Sequence, residues 1–174
     1  MKRTFTLLGV VAALAAATLS SIALGATGAA ASPQASKGAL VAVGKTRLGT
    51  VLVDARGRTL YLFEKDRRGR SACDGGCAAY WPPYTSSAAP RAGRGVRASL
   101  LGVSKRTDGK RQVTYAGHPL YTFVGDTRAG ATTGEGLTDF GAAWYAVAPS
   151  GRAVKRPASD PDGPYGGYGS KGAA

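Results

Sequence analysis

Two cysteines, one histidine and two aspartates at matching positions are the residues whose types and spacing suit chemistry in this chain. Cys73 and Cys77 enclose Asp-Gly-Gly. In an exported protein such a pair is expected as an intrachain disulfide, fixing the loop that presents Tyr80 and Trp81. A metal centre would need two more ligands, for which His118 and an aspartate are the available supply. Covalent haem attachment requires Cys-x-x-Cys-His, whereas three residues separate these cysteines and Ala78 follows. A redox or metal-linked role for Cys73, Cys77 and His118 is therefore kept as an alternative. Asp66 and Asp126 end equivalent strands. Brought together they could divide a proton for hydrolysis; held apart, each would accept backbone N–H groups in its own turn. His118 stands in a Gly-His-Pro turn and is expected at the solvent. Gly44-Lys45-Thr46 imitates the end of a phosphate loop, but Ala39 occupies the place of its first glycine and no helix follows. No catalytic, metal or cofactor site is expected from these residues, with that redox or metal-linked role and the Asp66/Asp126 hydrolase as the alternatives.

The elements that must position them come from a duplication. Residues 39–70 aligned without a gap on 99–130 share eleven identities in 32 positions, against about two or three by chance. The sharpest part is Gly-x-x-Leu-Tyr-x-Phe-x-x-Asp at 57–66 and 117–126, a period of 60. Each copy has an aromatic pair downstream, Tyr80-Trp81 and Trp144-Tyr145, and these four are candidate binding residues. Short β-branched and aromatic runs punctuated by glycine predict an all-β fold with little helix beyond the N-terminal segment. Each copy reads as a three-strand meander, over 39–45, 48–54 and 59–64, then 99–106, 110–115 and 119–124. Asp108-Gly109 marks a hairpin, and Arg56-Gly57 and Ala116-Gly117 mark a second turn. One meander cannot bury its own face, so two are expected to pack by a pseudo-twofold as a small sandwich or barrel. Tyr61, Phe63, Tyr121 and Phe123 are expected in the core.

The termini read differently. Met1-Lys2-Arg3, an apolar run from Phe5 to Leu24 and small residues up to Ala31 have the layout of a secretory signal peptide over 1–31. A retained N-terminal anchor is the alternative. The first cysteine is Cys73, so lipid anchoring is not expected. Residues 32–38 are expected as a mobile segment, 39–149 as the duplicated domain (copies 39–84 and 98–149, linker 85–97), and 150–174 as a disordered tail. No transmembrane helix is expected after signal removal. Lys and Arg number 23 against 10 acids, for a net charge of +13. Clusters at Lys65, Arg67, Arg68 and Arg70, at Arg91, Arg94 and Arg97, and at Lys105, Arg106, Lys110 and Arg111 are either a solvated face or a surface for an anionic polymer of the cell wall. An exported chain without a recognisable nucleic-acid motif is not expected to bind nucleic acid.

Tyr-x-Phe-x-x-Asp twice, with Cys73-Asp-Gly-Gly-Cys77-Ala-Ala-Tyr-Trp-Pro-Pro between and Trp144-Tyr145-Ala146-Val147 after, resembles a bacterial secreted-repeat family with a Yx(FWY)xxD motif, often labelled predicted lipoproteins. The resemblance covers about residues 39–149 and implies export and repetition, with no established activity. Together with the charge, it leads to the expectation of a secreted or envelope-associated, non-enzymatic binding or structural module.

Overall fold

The computed structural model describes residues 38–67 and 69–155; the expected signal peptide, residues 32–37 and the chain beyond Lys155 lie outside them. Strands dominate. β1 (Leu40–Thr46) and β2 (Gly49–Val53) form a hairpin, followed by β3 (Tyr61–Phe63), a single helical turn α1 (Gly76–Tyr80) and β4 (Arg91–Ala92). The second copy supplies β5 (Leu101–Lys105), β6 (Arg111–Tyr115), β7 (His118–Pro119), β8 (Thr138–Asp139) and β9 (Ala142–Ala146). They make three small sheets, ordered β2-β1-β4, β3-β9-β8 and β5-β6-β7, and no closed barrel forms among the described residues.

The first two strands of each copy pair as expected, but the copies differ by one residue in register. In the first hairpin Thr46 faces Gly49 across a two-residue turn. In the second, Arg106 N–H bonds Lys110 O (2.9 Å) across three residues, with Gly109 at φ 78°. The next turn compensates. Asp54 N–H bonds Arg58 O (2.9 Å) around three residues, whereas Tyr115 faces His118 around Ala116-Gly117, both at positive φ. Leu52, not Val53, is therefore the structural counterpart of Val113, and both are fully buried in the same cluster. An ungapped sequence alignment hides this slip because the two turn lengths cancel.

The third strand leaves its own copy. β3 pairs with β9, Tyr61 opposite Ala146 and Phe63 opposite Trp144. Its counterpart around Tyr121–Val124 lies against the end of the first copy, with Thr122 N–H to Pro82 O (2.9 Å) and Val124 N–H to Tyr80 O (3.1 Å). The strand expected at 119–124 is reduced to β7 and isolated bridges, because the facing segment includes Pro82-Pro83, which have no N–H to donate. Between the copies, Tyr61 N–H bonds Tyr121 O (2.9 Å) and Tyr121 N–H bonds Tyr61 O (3.0 Å). That reciprocal pair is the centre of the duplication.

Residues 85–97, expected as a linker, run beside β1: β4 pairs with it in parallel, and Ala39 N–H donates to Ser86 Oγ (2.8 Å). At the far end Val154 N–H bonds Ala146 O (2.8 Å), so residues 150–155 pack back onto β9.

Four rings form one stack through the core. Phe63 lies on Trp144 (4.0 Å between centroids), Trp144 on Trp81 (4.0 Å) and Trp81 on Phe123 (4.3 Å). Copies alternate along it. Tyr61 and Tyr121 meet the tryptophans edge-on, at 5.4 and 5.0 Å. Tyr61, Phe63 and Tyr121 are buried and Phe123 is half-buried. Gly134 admits this packing, since a Cβ there would sit 2.7 Å from Trp81 Cη2. Replacing Trp144, fully buried at the middle of the stack, by Ala removes the ring on which Phe63 and Trp81 both rest. Denaturant titration should show a loss of about 3–5 kcal/mol; a loss under about 1 kcal/mol would contradict the stack as the core's centre.

Candidate functional site

The motif tyrosines and aspartates meet across the copies. Tyr61 Oη donates to Asp126 Oδ2 (2.7 Å), and Tyr121 Oη donates to Asp66 Oδ2 (2.9 Å). Each carboxylate also holds its own turn: Asp66 accepts Ala72 N–H (2.8 Å), and Asp126 accepts Thr133 N–H (2.8 Å) and Thr133 Oγ1–H (2.7 Å). The two aspartates thus have different partners, the arrangement of two turn caps rather than of a proton-sharing dyad. Burial raises both tyrosine hydroxyls well above their ordinary value, and the facing carboxylates raise them further. Burial likewise lifts Asp66 to about 6, against the lowering influence of Ala72 N–H, Tyr121, Arg106 and Arg67.

Cys73 and Cys77 form the disulfide, Cα atoms 5.2 Å apart and both side chains buried. It closes the loop leading into α1, whose last residue, Tyr80, is exposed. Trp81 and Trp144, candidate binding residues by sequence, are fully buried and offer no surface to a ligand. The tryptophan of each downstream pair turned inward because its neighbours across the strand are the Phe of the motif. Tyr145 is half-buried, with Lys155 Nζ 5.1 Å above its ring and ion-paired to Glu64 at 2.8 Å.

Arg106, grouped in sequence with an exposed basic cluster, is buried. Its Nη1 donates to Ser71 Oγ (2.7 Å) and Gln112 Oε1 (2.9 Å), and its Nη2 donates to Cys73 O (2.8 Å) and Asp74 Oδ1 (2.6 Å). A guanidinium can be buried when its fork is met by acceptors in this way. Those on the first copy lie more than thirty residues away in sequence, so local pattern could not reveal them.

Crevices lined by described residues lie at the surface around these groups. One, about 490 Å³, is lined by Arg70, Ser71, Ser104, Lys105 and Thr107 around Arg106. A second, about 330 Å³, is lined by Arg47, Thr127, Arg128, Thr132 and Thr133. They are counterparts: each lies between the loop after one copy's motif aspartate and the hairpin of the other. In the second, Arg47 Nε donates to Thr132 Oγ1 (2.9 Å). The third, about 380 Å³, brings Asp66 and Arg67 of one copy beside exposed His118 of the other. Among the described residues no group of three His, Cys, Asp or Glu is placed to hold a metal ion, and no helix is long and apolar enough to cross a membrane.

A protein family described as a secreted repeat of unknown function matches residues 42–85 and 102–148, one match to each copy. No curated protein and no solved structure matches the chain significantly.

The cross-copy bonds predict that Tyr61→Phe and Tyr121→Phe each destabilise by about 1–3 kcal/mol, read as a lower denaturation midpoint at unchanged slope. Midpoints equal to wild type would show that the aspartates are satisfied without them. Asp66 gives a pH signature. Its folded-state value of about 6 exceeds the ordinary value near 4, so the folded state takes up a proton first. The stability this group contributes is complete below about pH 4 and is lost as pH rises through about 6. Asp66→Asn should therefore gain on wild type by a few degrees in Tm between about pH 4 and about pH 7; a constant difference across that range would remove the argument.

Proposed function

The chain belongs to this family of secreted repeats of unknown function, and from that premise we propose that it is a non-enzymatic module of the cell envelope or extracellular space that binds an anionic surface polymer. The observation that carries this reading is the pair of equivalent crevices lined by Arg, Lys, Ser and Thr. Guanidinium and ammonium groups with hydroxyls beside them suit phosphate, sulfate or carboxylate groups. Asp74 and Asp108 lie within ion-pair distance of Arg106 at the first crevice, and Asp126 bonds Thr133 beside the second.

The motif's reactive groups serve the fold instead. Tyr61, Tyr121, Asp66 and Asp126 bond one another across the copies, and Cys73 and Cys77 are joined and buried. A redox or metal-linked role through Cys73, Cys77 and His118 finds less support, because His118 lines the Asp66 crevice while the cysteines are enclosed in the core.

Incubating the secreted protein with purified cell wall should give retention at low ionic strength that falls steeply once salt shortens the Debye length below about 8 Å. Arg47→Ala with Arg128→Ala should lower retention more than Arg91→Ala with Arg94→Ala, which removes the same charge elsewhere. No retention at low salt sinks the proposal.

A further inference from the structure

Three large apolar side chains are exposed among the described residues, Tyr80, Val124 and Phe140 at 59%, 50% and 43%, and they lie together. The rings of Tyr80 and Phe140 are 6.2 Å apart at 40°, and Tyr80 O accepts Val124 N–H at 3.1 Å. Phe140 is held there against its conformational preference. It and Gly141 form the two-residue turn between β8 and β9, at φ 57° and 88°. Such a turn favours Asn-Gly, and a bulky aromatic residue at positive φ is rare. On the other side, α1 ends at Tyr80 behind the Cys73–Cys77 closure. Lys65 Nζ reaches Phe140 O (3.1 Å) at the edge of the pair.

We propose that Tyr80 and Phe140 form a stacking platform for a sugar ring of an acidic glycan, which makes the anionic polymer of the previous subsection a polysaccharide; the inference rests on that reading. The platform is too small for a stable protein interface, which takes some twenty residues a side. Two exposed aromatic rings suit the C–H face of a pyranose, and the lysine at the edge suits its acid group. Chain continuity joins the platform to the basic crevice, since Val124 is followed by Gly125, which lines it. Backbone strain at an exposed ring with no role in the core points to use of the ring itself.

The test uses Phe140→Asn, which removes the ring while supplying the residue the turn prefers, and Tyr80→Ser. Binding of the full chain is measured to polygalacturonate, which carries acid groups on sugar, and to polyphosphate, which has no sugar. Wild type should bind both. Each variant should lose about tenfold on polygalacturonate and remain unchanged on polyphosphate, with Tm of Phe140→Asn at or above wild type. Equal effects on both polymers, or none, overturn the platform while leaving polyanion binding in place. Failure of wild type to bind either polymer overturns both. Sedimentation with anionic phosphatidylglycerol vesicles that depends on the same two residues, without loss on polygalacturonate, would overturn the glycan in favour of a lipid surface.

Discussion

The tyrosine of each copy donates a hydroxyl hydrogen bond to the aspartate of the other, and nearly everything else in the domain follows from that exchange. Tyr61 and Tyr121 also trade backbone hydrogen bonds, so four bonds cross one small region. Removing either hydroxyl takes one hydrogen bond from a carboxylate that is held in a poorly solvated place, although Ala72 and Thr133 still donate to Asp66 and Asp126. The bonds therefore hold the copies to one relative placement. With that placement set, Phe63 can lie on Trp144 and Phe123 on Trp81, and the two tryptophans can stack face to face. Neither copy could assemble the stack alone, because its rings alternate between copies.

The same exchange explains what the sequence disclosed and what it hid. The spacing Tyr-x-Phe puts two rings on one face of a strand, and the all-β character, both hairpins and the disulfide were legible from local pattern. The partner of each ring was not. Periodicity shows that Tyr61 points inward, but not that it points at Asp126, 65 residues away. A repeat suggests two similar units side by side; here the third strand of each is completed by the other. Trp81 and Trp144 looked like binding residues because an aromatic pair at the end of a repeat has no local reason to be buried. The reason lies in the other copy.

Arg106 shows the same limit for charge. A basic residue beside Lys105 and near Lys110 and Arg111 reads as one of a surface group. Its burial depends on the carbonyl of Cys73, on Ser71 and Asp74 of the first copy, and on Gln112 of its own hairpin. This guanidinium ties the disulfide loop to the second hairpin and so links the covalent closure to the cross-copy lock. The first copy offers Thr46 at the matching position, and Arg47 beside it takes up Thr132 instead. The duplication keeps the place of the contact but not its chemistry.

Divergence between the copies is where the surface acquires individuality. Around the central tyrosines the halves match in residue type and bonding. Ahead of the final aromatic pair they do not: the first copy has a disulfide-closed loop and α1, and the second has the β8–β9 hairpin. Even the tryptophans differ there, Trp144 Nε1 donating to Asp139 O (3.2 Å) and Trp81 Nε1 buried without a partner among the described residues. Tyr80 and Phe140 come from these two unmatched segments and meet at the surface. A structural repeat needs only its shared parts to hold together, and the shared parts here are buried. The strained turn at Phe140 lies outside the core clusters, and an exposed ring held at positive φ is the kind of outlier from which a role at the surface is inferred.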